Sequence, residues 1–261
     1  MEESDKDEKD EISTSKIDQS DHFSKNKSMG LHGPSLGIGA GIAIVSIISA
    51  FFAVSVMDNN AELQFEENSP KKGMTGDAMA LFTSNAAISL GNEDAPITLV
   101  EFGDYQCFFC NKFFHETEPS IIENYVENGK VKIIFKDFTI IGPDSIGAAH
   151  ATHCANDQGK YWEYHDELYN NWAGENNGWA SSENLLKFAQ NIGLNEDDFK
   201  KCMSDGKYQQ LVSASSNDAR NLGITGTPAF FVIGPDNQIT RISGAQPYDV
   251  FHNVFQAELQ K

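Results

Sequence analysis

The stretch from residue 97 to residue 129 constrains this chain more than any other. Ile97 to Gly103 (ITLVEFG) is apolar on both faces of a strand, as suits a strand covered on both sides. Next comes Cys107-Phe108-Phe109-Cys110, and then Phe113, Phe114, Ile121, Ile122 and Tyr125 recur at mostly helical spacings until Gly129 closes the run. The pattern predicts a strand, a cysteine at the junction, and a helix over 107–128. A thiolate at Cys107 would meet backbone N–H groups without intrahelical partners and the positive end of a helix dipole. Both lower its pKa below the free value of about 8.5. Two intervening residues bring the second sulfur round one helical turn, within bonding distance of the first. The pair is therefore read as a thiol–disulfide couple, with Cys107 attacked or attacking and Cys110 as its resolving partner.

Two blander readings compete, half of a zinc site or two inert thiols. A structural zinc site needs two further ligands at suitable spacing. Cys154 and Cys202, the only other cysteines, are far apart in sequence and form no second knuckle. The expectation is no metal and no bound cofactor. Glu101 adds weight to the redox reading, because a carboxylate inside an apolar strand is costly unless neutral or paired. Beneath a dithiol it can accept or donate the exchanged proton; the alternative is a structural pair with a lysine such as Lys136. Thr227-Pro228 stands directly before a second apolar run, AFFVI. Proline is allowed at the start of a strand. A cis bond there would set backbone polar groups against the sulfurs, ready for an extended substrate.

Residues 1–35 are charged and poor in large apolar groups, and are expected to be disordered. Leu36 to Met57 then runs for 22 residues without a charge. As a helix it would be about 33 Å long, enough for a bilayer core. The long acidic lead and the length of the run favour an uncleaved membrane anchor over a signal peptide. Lys16, Lys25 and Lys27 before the span, against Lys71 and Lys72 after it, favour a cytoplasmic N-terminus. Residues 58–85, polar and small, read as a tether. The formal net charge of −19 argues against a nucleic-acid binder and is read as solubility.

The folded domain is expected over 86–261. Strands are predicted at 97–103, 131–138, 229–233 and 238–242, and helices at 146–157, 161–172, 183–192, 196–203, 208–222 and 248–259. Residues 144–222 thus form a helical insert. A β-α-β start, the insert, a hairpin and a last helix make an α/β, thioredoxin-like plan.

Three stretches sharpen this: Val100-Glu101-Phe102-Gly103-Asp104-Tyr105-Gln106-Cys107-Phe108-Phe109-Cys110, Gln158-Gly159-Lys160-Tyr161-Trp162-Glu163-Tyr164-His165, and Gly223-Ile224-Thr225-Gly226-Thr227-Pro228-Ala229-Phe230-Phe231-Val232. With them, residues 88–261 resemble the DsbA-type branch of the thioredoxin superfamily. The resemblance implies a helical domain inserted into a thioredoxin core and a cis Thr227-Pro228 bond. It gives Cys107 the nucleophilic role, Cys110 the resolving role and Glu101 that of the buried acid. It also implies work outside the cytoplasm on exported proteins with free thiols, and reoxidation by a membrane partner of the DsbB or VKOR kind. One departure stands out: many relatives carry Pro or His between the cysteines, whereas this chain has Phe108-Phe109. Phenylalanine adds nothing to thiolate stability, so a couple less oxidising than the about −120 mV of DsbA is expected.

Cys154 and Cys202 both fall in the helical insert. In the oxidising location that the resemblance implies, and with a similar extra pair in some relatives, a structural disulfide is expected over two separate buried thiols. His150, His153 and Cys154, at helical spacing, are read as a partly exposed helix face rather than a metal site. Trp162, Tyr164 and Trp172 are read as packing of the helical lobe.

Overall fold

The computed structural model describes residues 76–86 and 88–261. Four strands form one sheet: β1 (Ile97–Gly103), β2 (Val131–Asp137), β3 (Ala229–Ile233) and β4 (Ile239–Ser243), in the order β2-β1-β3-β4. β1 and β2 are parallel, while β1–β3 and β3–β4 are antiparallel. The parallel pair is joined by α2 (Phe108–Glu116) and α3 (Glu118–Ile121), and α9 (Tyr248–Leu259) closes the chain. On one face of the sheet, Ile97 and Leu99 pack with Phe113, Ile121, Phe251 and Phe255. On the other, Val100 and Phe102 pack with Phe82, Ala219 and Ile224. Covering both faces is what an unbroken apolar β1 demands.

Between β2 and β3 run α4 (Pro143–Asn156), α5 (Tyr161–Asn170), α6 (Ser182–Asn191), α7 (Glu196–Ser204) and α8 (Gln209–Asn221). This is the expected helical lobe, with its own core around Ala151, Tyr164, Leu168, Leu185 and Phe199. The Cys154–Cys202 disulfide joins α4 to α7 with a Cα–Cα distance of 5.8 Å.

Three sequence expectations change. The helix over 107–128 is interrupted: α2 ends at Glu116, α3 follows with Pro119 in its first turn, and Ile122–Val126 forms one π turn. Pro119 has no N–H to offer the preceding turn, and its ring displaces the carbonyl four residues back. The stretch read as tether contains α1 (Gly76–Thr83), whose Phe82 is 3% exposed and meets the Phe231 ring at 4.9 Å. Too short to show a clear apolar period, this helix is held by tertiary contacts. His150 and His153 are buried rather than partly exposed, because α4 is enclosed by the other lobe helices. The readings of residues 1–35, 36–57 and most of the tether lie outside the described residues. Among the described residues, no helix is long and apolar enough to cross a membrane.

Candidate active site

The pleat of β1 decides what lies under the cysteines. Glu101 is paired in register with Phe135, whereas Lys136 is paired with Phe102. Glu101 and Lys136 therefore point to opposite faces of the sheet, and the structural pair considered from sequence does not form. Lys136 instead donates to Asp218 Oδ2 at 2.7 Å and to the carbonyls of Leu81 and Ser84. Glu101, 3% exposed, is left in the apolar interior. Burial first, and then the nearby Glu118 and Cys107, raise its pKa well above the ordinary carboxylate range. Its surroundings favour the neutral, protonated form.

Cys107 is the residue before α2, in extended conformation, 4% exposed. Both cysteines of the pair are free thiols. The Cys107 pKa is lowered to about 7. A hydrogen bond from Cys110 contributes most; burial opposes it; Thr227 and the N–H groups of Cys110 and Phe109 add to the lowering. In the thiol form Sγ donates to the Thr227 carbonyl at 3.4 Å, and the Thr227 hydroxyl has no partner among the described residues. That hydroxyl is available to a thiolate. The Thr227–Pro228 bond is cis, and Pro228 is buried beside the sulfur-facing carbonyl. Cys110 is fully buried, and burial, then Cys107 and Glu101, push its pKa well up. Position alone thus favours the thiolate at Cys107 and the thiol at Cys110. Around them the hydroxyls of Tyr105, Tyr161 and Tyr169 are buried without partners among the described residues.

Several residues shape this site through contacts that the sequence did not assign to them. Asp104 accepts from the N–H groups of Gln106, Ile140 and Ile141 at 2.9, 2.8 and 3.0 Å. Gln106 donates to Ser145 Oγ at 3.0 Å and accepts from the Asn176 N–H at 2.8 Å. Trp172, read as lobe packing, donates its indole N–H to the Gln106 carbonyl at 2.9 Å and contacts Phe108. Glu175 accepts from the Phe108 N–H at 3.0 Å, so a carboxylate occupies the first turn of α2 beside Cys107. Apart from the local Asp104–Gln106 bond, these partners lie 36–70 residues away in sequence, beyond the reach of local pattern. Phe108 and Phe109, between the two cysteines, are exposed with their ring centroids 5.3 Å apart, and Ile140 and Ile146 are further exposed apolar side chains.

His150, Cys154 and Cys202 bring their ligand atoms within 4.8 Å of one another. Both sulfurs are already bonded to each other, and His150 Nε2 accepts from the Tyr208 N–H at 3.2 Å. These donors are engaged in holding the lobe together.

The thioredoxin family profile matches residues 83–243. The probable disulfide bond formation protein D of Bacillus cereus is 32% identical over 158 residues, which is 59% of this chain and 73% of that protein. The oxidised crystal structure of BdbD from Bacillus subtilis is 26% identical with a TM-score of 0.60, covering 66% of this chain and 92% of its own. Alpha-DsbA1 of Wolbachia pipientis is 26% identical with a TM-score of 0.61, covering 70% and 96%. The chain belongs to the thioredoxin family. Within it, the chain is a protein thiol–disulfide oxidoreductase of the DsbA type.

Proposed function

We propose that the Cys107–Cys110 couple introduces disulfide bonds into exported proteins that carry free thiols. The observation behind this reading is the asymmetry of the pair, a thiol lowered to about 7 above one pushed well up. A substrate thiolate attacks Cys107 Sγ of the oxidised pair, a new S–S bond forms, and Cys110 leaves as a thiolate. Neutral Glu101 gives Cys110 a proton. A second substrate thiolate attacks the substrate sulfur of the mixed disulfide and expels Cys107 as a thiolate, held by Thr227 and the N-terminal N–H groups of α2. Both electrons from the substrate end on the Cys107–Cys110 sulfurs. The exposed Phe108–Phe109 pair and the backbone at cis Pro228 suit an unfolded, extended chain. Residues 36–57 anchor the domain to the lipid bilayer with the N-terminus in the cytoplasm, and a membrane partner of the DsbB or VKOR kind reoxidises the pair.

A reductase or isomerase reading has one observation in its favour. A Cys107 pKa of about 7 equals that of thioredoxin and lies well above the about 3.5 of DsbA. Redox titration of the couple against glutathione separates the two. The less oxidising reading predicts a potential below about −120 mV, and a value at or above it ends that reading. Insulin reduction assayed beside oxidative refolding of a reduced substrate tests turnover in each direction. Loss of neither in the Cys107→Ser variant would exclude both redox readings.

A further inference from the structure

A second buried carboxyl lies on the inner side of the site and has no part in the steps above. Glu118 is 3% exposed, turned inward where the chain breaks between α2 and α3. Neither a cation nor a hydrogen-bond donor is among the influences on its carboxyl. Buried acids without partners are costly, so the site gains nothing in stability from this one. Its two electrostatic neighbours are informative. Glu118 belongs to α3, whose Ile121 packs with Ile97 and Leu99 on the face of β1 to which Glu101 points, and there it raises the Glu101 pKa; on the other side it feels Asp166 of α5. Glu118 and Asp166 both line an open cleft of about 420 Å³, together with Phe114, His115, Pro119 and Ile122. Asp166 is more than half exposed at the lip of that cleft, where His165 Nδ1 sits 3.2 Å from its Oδ1. His165 itself is buried, with its ring against Phe135, the residue directly across from Glu101.

We propose that Glu118 is the second member of a two-carboxyl proton relay that joins Glu101, under the dithiol, to the solvent of the cleft beside α2, with Asp166 at its mouth. The inference rests on the reading of Glu101 as the proton donor to Cys110. When Cys110 leaves as a thiolate, Glu101 protonates it. Glu118 returns a proton to Glu101, and water in the cleft returns one to Glu118. One proton enters from the cleft for each Cys110 thiol formed, and reoxidation runs the same path outward. Without such a path the buried acid would have to exchange its proton past the bound substrate. Glu118 touches neither sulfur and acts only through Glu101. Burial and the Asp166 carboxylate hold its pKa up at about 8, so it carries a proton at neutral pH and loses it in mild alkali. The other titratable groups lining the cleft are His115 of α2, Glu123 of the π turn and Glu127 just after it, while His165 of α5 packs on the Phe114 ring that also lines it. From α9, His252 is bonded to the Tyr125 hydroxyl instead.

The test follows reduction of the oxidised protein by excess dithiothreitol in stopped flow, using tryptophan fluorescence, from pH 6 to 9.5. Rates are divided by the dithiothreitol thiolate concentration. Wild-type protein should show a constant rate per thiolate below pH 8 and a fall above it. Glu118→Gln should be slower by about tenfold at pH 7 and lose the inflection. Its equilibrium constant with glutathione should stay within about twofold, because Glu118 is neutral at pH 7 in the wild type. Asp166→Asn, on a half-exposed side chain, should keep the inflection but move it to lower pH, since a negative neighbour is removed. Glu101→Gln should be slowed by about a hundredfold, and adding Glu118→Gln to it should slow it no further. Wild-type rate and inflection in Glu118→Gln, an unmoved inflection in Asp166→Asn, or a further slowing in the double variant each overturn the relay. A wild-type rate in Glu101→Gln instead overturns the reading of Glu101 on which the relay rests.

Discussion

Two cysteine pairs sit in this molecule, both buried, and only one is built for turnover. Cys154 and Cys202 are bonded across 48 residues and tie α4 to α7. Cys107 and Cys110 are three positions apart and free. Burial therefore does not separate the structural pair from the reactive one. What separates them is the difference between the two sulfurs within a pair. Cys107 has N-terminal N–H groups and a spare threonine hydroxyl on its side, so its thiolate is favoured. Cys110, one helical turn further in, has none of these facing solvent and an acid beneath it, so its thiol is favoured. The lobe pair joins two helices of one packed core, and its role is to hold that core closed.

The largest effect should come from Cys107→Ser, which abolishes both insulin reduction and oxidative refolding. Peptide mapping without reduction should still find Cys154 joined to Cys202 in that variant. The opposite experiment, Cys154→Ala with Cys202→Ala, should leave exchange activity in place while lowering stability in urea by up to about 4 kcal/mol, the chain-entropy value for a loop of about 50 residues. If this double variant loses activity while still folded, the division of labour between the pairs is wrong. Gln106→Ala should cost about 1–3 kcal/mol, because it leaves the Asn176 N–H without its partner. That loss would show in urea unfolding, with a loosened Cys107 loop reported by its alkylation rate.

Alkylation of Cys107 by iodoacetamide should be half-maximal near pH 7. Cys110 should stay unreactive well above that pH. A lowered folded pKa stabilises the reduced protein above the unfolded value of about 8.5, and this contribution disappears as the pH falls through 7. Reduced protein should thus lose stability relative to oxidised protein over that window on acidification. The smallest effect is assigned to Glu175→Gln. Removing a carboxylate from the first turn of α2 should lower the Cys107 pKa and make the couple more oxidising. A helix-terminus charge contributes about 0.3–1 kcal/mol, so the equilibrium with glutathione should shift by about two- to fivefold.

Much of the frame is legible without coordinates. The bounds of β1, β3 and α9 coincide with the expected 97–103, 229–233 and 248–259. β1 and β3 are nearly continuous apolar runs, and α9 repeats Val250, Phe251, Val254 and Phe255 at helical spacing after Pro247, so local signals suffice. The break at Pro119 was also written in the sequence, but the apolar positions on either side suggested one continuous helix. α1 and the burial of His150 and His153 were not legible, because eight residues show little period and α4 shows no polar face until its neighbours are known. The ties from Asp104, Gln106, Trp172 and Glu175 to the active-site loop depend on chain segments brought together only by folding.

The sequence alone determined the reactive centre. A Cys-x-x-Cys pair at a strand–helix junction is a matter of dipoles and spacings within one helical turn, and those interactions do not wait for the rest of the chain. Tertiary structure decided which side chains surround it. Glu101 and Lys136 were equally available partners on paper, and the register of β1 with β2 put them on opposite faces. The kink before α3 turned Glu118 inward, and the folding of the lobe set Asp166 at the cleft beside it. A strand's pleat alternates with every residue, so one step of register decides whether a charge meets a partner or stays alone in the core.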